Sequence, residues 1–340
     1  MKIATLYVRI RNKLPRKYQG LLSKMVFVLP WMPLTKKESL DRSKRFPGAA
    51  KGGMIISADF EMAWAYRYSK NRDYLSLSQR ERKNIPRMLR LLNDYKISIT
   101  WATVGHLMLD KCNYDDHDWM RRIPHFDHPW NFTHGDWYDH DPHSDWKLAP
   151  EWYASDLVEQ IVNSNINQEI GCHTFSHINC SDKNCPSGVL EDEIEAYIKA
   201  SKRYTIKLDA FVFPGGTFGN FPVLKKHGFK IYRIDSKYKL AFPYRDSLGM
   251  LCTVSSYAFG EKGLGYSKEY SINKFKRFID KAIKTGTVAH FWFHPSMDDF
   301  TLNNVLPSVL NYAAKKRDEQ KLWIGTMGEI ASHINNRNVL

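Results

Sequence analysis

Short apolar runs recur along the chain, separated by longer stretches in which apolar positions fall every three or four residues. The first run, "GGMIISADFEMAW" from Gly52, opens on two glycines and continues as an unbroken β-rich stretch, the pattern of a parallel strand buried on both faces. Runs of the same kind occur at "ISITWATVG" (97–105), "EIGCHTF" (169–175), "AFVFPGG" (210–216), "FKIYRI" (229–234), "TVAHFWFHP" (287–295) and "LWIGT" (322–326). Between them, "SQRERKNIPRMLRLLNDY" puts Ile85, Met88, Leu91 and Leu92 on one helical face, with Ser78 the expected N-cap. "LEDEIEAYIKASKRY", "INKFKRFIDKAIKTG" and "NNVLPSVLNYAAKKRDEQ" have the same period. This alternation predicts an α/β fold with a parallel sheet. About seven strands favour closure into a barrel, which gathers reactive groups on the loops at the C-terminal strand ends.

Residues 110–155 break the rhythm. They show no periodicity and hold six His and five Trp, so the segment reads as an ordered insertion over one mouth of the barrel rather than a disordered linker. Trp130, Trp137, Trp146 and Trp152 are candidates to stack on a sugar ring, or equally to form a small core for the loop. Asp141 and His143, in "DHDPHSDW", are its candidate polar substrate contacts.

Composition changes the picture at one end only. The chain of 340 residues carries a net charge of +14, but residues 1–51 hold 13 Lys/Arg and two acids, so the excess belongs to a basic leader rather than to the domain at 52–335. That distribution, with no recognition-helix or base-stacking motif, argues against nucleic-acid binding. The uncharged run Met25–Thr35 is 11 residues long with two prolines, too short to span a bilayer of about 30 Å. Leu14, Tyr18, Leu21, Leu22, Met25 and Val26 do follow helical spacing among lysines, the pattern of a helix lying on an anionic membrane surface, so residues 1–45 are a candidate membrane contact; a basic arm packed on its own domain, or a disordered one, is the alternative. Five cysteines without a CxxC pair fit a reducing compartment.

Three predicted strands end in groups able to carry chemistry. Asp59 and Glu61 lie two apart, so period-two geometry sends both carboxylates to one side. His173 and His177, in "HTFSH", have the i, i+4 spacing that puts two imidazoles on one face of a helical turn. His294 closes "AHFWFHP", and Trp292 lies two residues before it. A carboxylate with two histidines makes a three-ligand metal site with positions left for water, leaving Asp59 and His294 for proton transfer. A metal site built wholly within the insertion is the rival arrangement.

The order "SADFE", "HTFSH", "FVFPGG" and "HFWFHP" resembles the NodB-homology polysaccharide deacetylases, carbohydrate esterase family four, over residues 52–330. The resemblance implies a distorted (β/α) barrel of seven strands and removal of acetyl groups from sugars with one divalent metal, zinc foremost. It implies Asp59 as base, Glu61, His173 and His177 as metal ligands, and His294 as the acid on the leaving amine. Trp292, Trp130, Trp137, Asp141 and His143 are the expected substrate contacts. Two positions depart from the family: Glu61 stands where Asp is usual, and "FPGGTFGN" lacks the arginine that often orients the base, for which Arg233 in "IYRID" is a candidate substitute. The expected substrate is an N-acetylated sugar or lipid-linked glycan precursor of a bacterial surface polysaccharide, met in the cytoplasm at the inner face of the membrane. A metal-independent amide or formyl hydrolase and a catalytically inactive carbohydrate-binding protein are the alternatives.

Overall fold

The computed structural model describes residues 40–66, 73–124, 139, 141–235, 239–260 and 267–337. The chain enters through β1 (Gly52–Phe60), α1 (Ala63–Tyr66), α2 (Tyr74–Tyr95) and β2 (Thr100–Thr103). After the insertion come α3 (Ser155–Val162), β3 (Glu169–Cys172), α4 (Ser187–Ser201), β4 (Ala210–Val212), α5 (Phe221–Lys226) and β5 (Ile231–Asp235). Two short strands, β6 (Tyr244–Arg245) and β8 (Tyr257–Ala258), flank β7 (Leu251–Ser255). The chain closes with α6 (Lys268–Thr285), β9 (Val288–Phe293), α7 (Leu306–Asp318), β10 (Leu322–Ile324) and α8 (Met327–Arg337).

The strands form one sheet in the order β6-β7-β5-β4-β3-β2-β1-β9-β8, parallel throughout except for β6 against β7. β1 has three neighbours because β10 pairs with its first residues, Gly52–Met54, while β2 pairs with Ser57–Phe60. Asp59 in β1 and Arg233 in β5 stand four strands apart in this order. In a flat sheet that separation is about 19 Å. Their side chains nevertheless form a double ion pair at 2.6 and 2.7 Å, so the sheet curls on itself as the α/β pattern predicts.

Every residue of β1 is buried, and its two faces serve two cores. Met54, Ile56, Ala58 and Phe60 point outward into the larger core beneath the helices. Ile55 points inward with Ala102, Val212, Ile231, Leu251 and Val288. Met327, Ile330, Ala331 and Ile334 of α8 join that inner cluster together with Leu40 and Phe46. The folded unit therefore begins before Gly52: Arg45 is buried and donates to the Gly286 carbonyl at 2.7 Å. The leader helix and its membrane face, residues 14–26, lie outside the described residues. No helix among the described residues is long and apolar enough to cross a membrane.

Two local expectations need correction. α2 starts at Tyr74 rather than after Ser78, because the Asp73 carboxylate accepts from the Ser76 N–H at 3.0 Å and caps the helix a turn earlier. β7, missed in the sequence, is a fully buried run of five mixed residues that the Asp246–Gly249 turn joins to β6.

Candidate active site

β1, β3 and β9 are the strands whose C-terminal ends carry the candidate chemistry, and the curl brings these ends together. Glu61 follows directly on β1, and its Oε1 lies 2.9 Å from His173 Nε2 and 3.1 Å from His177 Nε2. His294 Nε2 stands 3.4 Å from the other oxygen, Oε2. Asp59, Glu61 and His294 each offer a ligand atom within 4.8 Å of the others, as the two-residue spacing of the acids requires. Glu61, His173 and His177 are buried, while His294 keeps a third of its side chain exposed, open toward a substrate.

The histidine pair converges by a different route from the helical turn expected of its spacing. Residues 173–177 form a loop in which Thr174 and His177 have left-handed backbones, φ 57° and 59°. The loop is fastened on both sides. Gly105 and His106 donate N–H bonds to the carbonyls of Thr174 and Phe175, both at 2.9 Å. Buried Glu193 of α4 accepts from the N–H groups of Phe175 and Ser176 at 2.7 and 2.8 Å. A backbone held this closely can keep two imidazoles aimed at one carboxylate without helical geometry.

The ring orientation tests whether a cation fits. His173 Nδ1 lies 2.7 Å from the Val212 carbonyl, which can only accept, so Nδ1 carries the proton. In the neutral ring Nε2 then presents a lone pair to the Glu61 carboxylate, and two acceptors face each other at 2.9 Å. A cation between them relieves that conflict, and a carbonyl on the distal nitrogen is the usual support of a metal-binding histidine. Glu61, His173 and His177 therefore fit a divalent metal.

Burial opposes the charge on Glu61, but His294 and His177, with both loop imidazoles in close contact, hold its carboxyl well below the usual range. Burial likewise opposes charge on His294, and Glu61, with Asp59 and Glu81 behind it, outweighs this and pushes the imidazole up to about 9. Glu81 of α2 is fully buried; burial first and the charge of Glu61 second push it up to about 8, so it is neutral at pH 7, with Oε2 accepting the Met62 N–H at 3.3 Å.

Asp59 is gripped by Arg233, whose Nη1 also donates to Ser57 Oγ at 2.9 Å. Burial would favour a neutral guanidinium, but Asp59 and Asp235 reverse this and raise its proton affinity. Behind it, His290 Nε2 lies 2.9 Å from Ser57 Oγ and Nδ1 3.2 Å from Thr253 Oγ1. Burial, with Arg233 nearby, drives His290 well below the ordinary histidine range, so it is a neutral member of this chain of bonds. Sequence reading missed Ser57, Glu81 and His290. For Ser57 and His290 a signal existed in the same two-residue period that placed Asp59 and His294.

The expected substrate contacts divide. Trp292 lies at the mouth, its ring 5.1 Å from the Arg233 guanidinium carbon and 5.3 Å from the His294 ring. Trp130 and Trp137 lie outside the described residues. Trp152 takes the small-core alternative, edge-on to Trp64 at 5.4 Å with its carbonyl accepting the Trp64 indole N–H. Asp141 is a correction: its side chain is fully enclosed, turned to His117, Cys112 and His106, and presents no face to a sugar. His143 is half-buried, with a left-handed backbone, and its N–H is donated to Asp141. All five cysteines are buried free thiols.

The family model described as polysaccharide deacetylase matches residues 69–232. This span includes the HTFSH loop but neither the Asp59–Glu61 pair nor His294. Among solved structures, a protein described as a polysaccharide deacetylase from Mycobacterium smegmatis is similar at a TM-score of 0.61 and 12% identity, over 91% of this chain and 96% of that one. One so described from Pseudomonas aeruginosa PAO1 gives 0.61 and 13%, over 90% and 96%. The Puue allantoinase gives 0.58 and 12%, over 89% and 94%. At these identities the likeness is one of fold. No curated protein matches the chain.

Proposed function

We propose that the chain is a deacetylase hydrolase of the polysaccharide deacetylase family, whose model matches residues 69–232, and that it removes an N-acetyl group from a sugar with one divalent metal, zinc foremost. The observation that carries the metal is His173, whose Nδ1 is committed to a carbonyl while Nε2 faces a carboxylate. Glu61, His173 and His177 would hold the ion. Bound there, it supplies Lewis-acid polarisation of the acetyl carbonyl.

The chain's own residues supply the rest. Asp59, fixed by Arg233, takes a proton from the attacking water as its oxygen adds to the acetyl carbon. His294, kept protonated by its carboxylate neighbours, gives a proton to the sugar nitrogen as the C–N bond breaks, leaving acetate and a free amine. Trp292 forms the wall against which the sugar lies, with Trp130 and Trp137 as further contacts. The substrate is a glycan precursor of a bacterial surface polysaccharide, lipid-linked and met at the cytoplasmic face of the membrane, where the basic leader holds the enzyme.

Metal content and acetate release from N-acetylated sugars test the core of this reading together. Asp59→Asn should lower kcat by about 100- to 10,000-fold and keep its metal, whereas His173→Ala should lose both. A metal-independent amide hydrolase is the second reading, favoured because Glu61 already bonds both imidazoles directly, which satisfies the site if one ring is an imidazolium. Full activity after chelation would establish that reading instead. Absence of any hydrolysis with metal bound would favour a carbohydrate-binding protein.

A further inference from the structure

Against Phe175, between the two histidines of the catalytic loop in sequence, the insertion closes on a second cluster. His106, Cys112, His117 and Asp141 are all buried, and each offers a ligand atom within 4.8 Å of the other three. His117 Nδ1 lies 2.7 Å from Asp141 Oδ2, Cys112 Sγ 3.1 Å from Oδ1, and His106 Nε2 3.5 Å from Oδ1. The last is an ion-pair contact and not a hydrogen bond: His106 Nε2 is buried with no hydrogen-bond partner, in a residue wholly shielded from water. Its other nitrogen faces the Trp152 carbonyl at 3.4 Å, the tautomer that turns the Nε2 lone pair into the cluster.

We propose that His106, Cys112, His117 and Asp141 form a second metal site, structural rather than catalytic, that binds zinc. The donor set is one that a borderline-soft cation takes and magnesium or calcium does not. Charge also balances: a thiolate and a carboxylate with two neutral imidazoles cancel a divalent cation, leaving a neutral centre that can be buried. A tetrahedron with bonds of about 2.0–2.3 Å has ligands roughly 3.3–3.8 Å apart, so the present spacings need only small side-chain adjustments. Four protein ligands would leave no open position for water, unlike the three at the catalytic mouth.

The site's place in the fold gives it a task. His106 lies in the turn after β2, three residues past its end, whereas Cys112, His117 and Asp141 belong to the insertion, and the pairing of His117 with Asp141 closes 24 positions of chain. The rings of His106 and His117 pack on Phe175 at 5.5 and 5.0 Å, the residue midway between His173 and His177. Tyr153 completes the surround, its hydroxyl 3.0 Å from Cys112 Sγ and accepting the Ser144 N–H at 2.9 Å. A metal here would clamp the insertion against the back of the catalytic loop.

The two sites differ in one readable respect, since only the second contains sulfur. Cobalt(II) alone, added to the chelator-stripped full chain, should bind at about two equivalents and show a thiolate-to-cobalt charge-transfer band. His173→Ala should lose one equivalent and keep the band, while Cys112→Ser should lose the band. A wild-type protein with no such band, or a band unchanged in Cys112→Ser, overturns the second site. The wild-type and His173→Ala spectra decide the question even if Cys112→Ser fails to fold. A single equivalent lost in His173→Ala without any band overturns the second site and leaves the catalytic one. A single equivalent that survives in His173→Ala with its band does the reverse.

Discussion

With two nitrogens on Asp59 and a third contact to Ser57, the Arg233 guanidinium fixes the orientation of the carboxylate. Lysine has the charge but not the fork. Arg233→Lys should therefore lower kcat about 10- to 100-fold with little change in KM, the loss of an orienting contact rather than of substrate binding; steady-state kinetics on an N-acetylated sugar check this. A second residue-scale expectation concerns Glu169, which opens β3. Burial first, then Asp209 and Glu329, push its carboxyl up to about 7 against hydrogen bonds from Thr100 and Gly328, while the unfolded chain titrates near 4.5. Between these values the folded protein holds the extra proton, so this residue makes stability fall as pH rises from about 4.5 to 7 and adds no slope above that range. Glu169→Gln should flatten that part of the pH–stability curve, measured by urea unfolding across the interval.

At the scale of elements, the catalytic loop is a product of its neighbours. "HTFSH" has a helical spacing, yet the turn after β2 donates two backbone bonds to it, α4 supplies Glu193, and two of its residues take left-handed backbones. Gly105 makes that approach possible, because a Cβ there would sit 2.7 Å from the Tyr197 ring and 3.0 Å from the Phe175 ring. Gly105→Ala is expected to cost about 1–3 kcal/mol and to weaken metal binding together with stability. Denaturant midpoint and metal titration on the same variant check the coupling, and a destabilised protein with unaltered metal affinity would show that the loop is held from elsewhere.

At the scale of the molecule, the curled sheet brings β1, β5 and β9 to one mouth, while α8 and residues 40–46 fill the inner core from the other side. The packing of Leu40, Arg45 and Phe46 fixes where the leader can be cut. Deletion of residues 1–39, which carry nine Lys/Arg and one acid, should leave the melting temperature within a few degrees of the full chain's while abolishing binding to vesicles rich in anionic lipid. Retention of vesicle binding in that variant, measured by co-sedimentation, would move the membrane contact out of the leader.

Local information sufficed for a good deal of this. Unbroken apolar runs and the 3.6-residue period identified most long elements, because burial on two faces or on one stripe leaves a mark in adjacent residues. The two-residue spacing of Asp59 and Glu61 carried their shared direction, because a strand's pleat is a local property. Charge counting separated the leader from the domain for the same reason. Tertiary structure alone decided what depended on distance in the chain. The strand pattern favoured a closed sheet and offered Arg233 as a candidate, but that Arg233 meets Asp59 across 174 positions was decided by strand order and register, which no local pattern encodes. Asp141 reads as a polar loop residue in sequence, yet folding encloses it among two imidazoles and a thiol whose spacings follow no repeat. The HTFSH loop abandoned its helical spacing because the backbone N–H groups of Gly105 and His106 and the buried Glu193 carboxylate offered it partners distant in the chain.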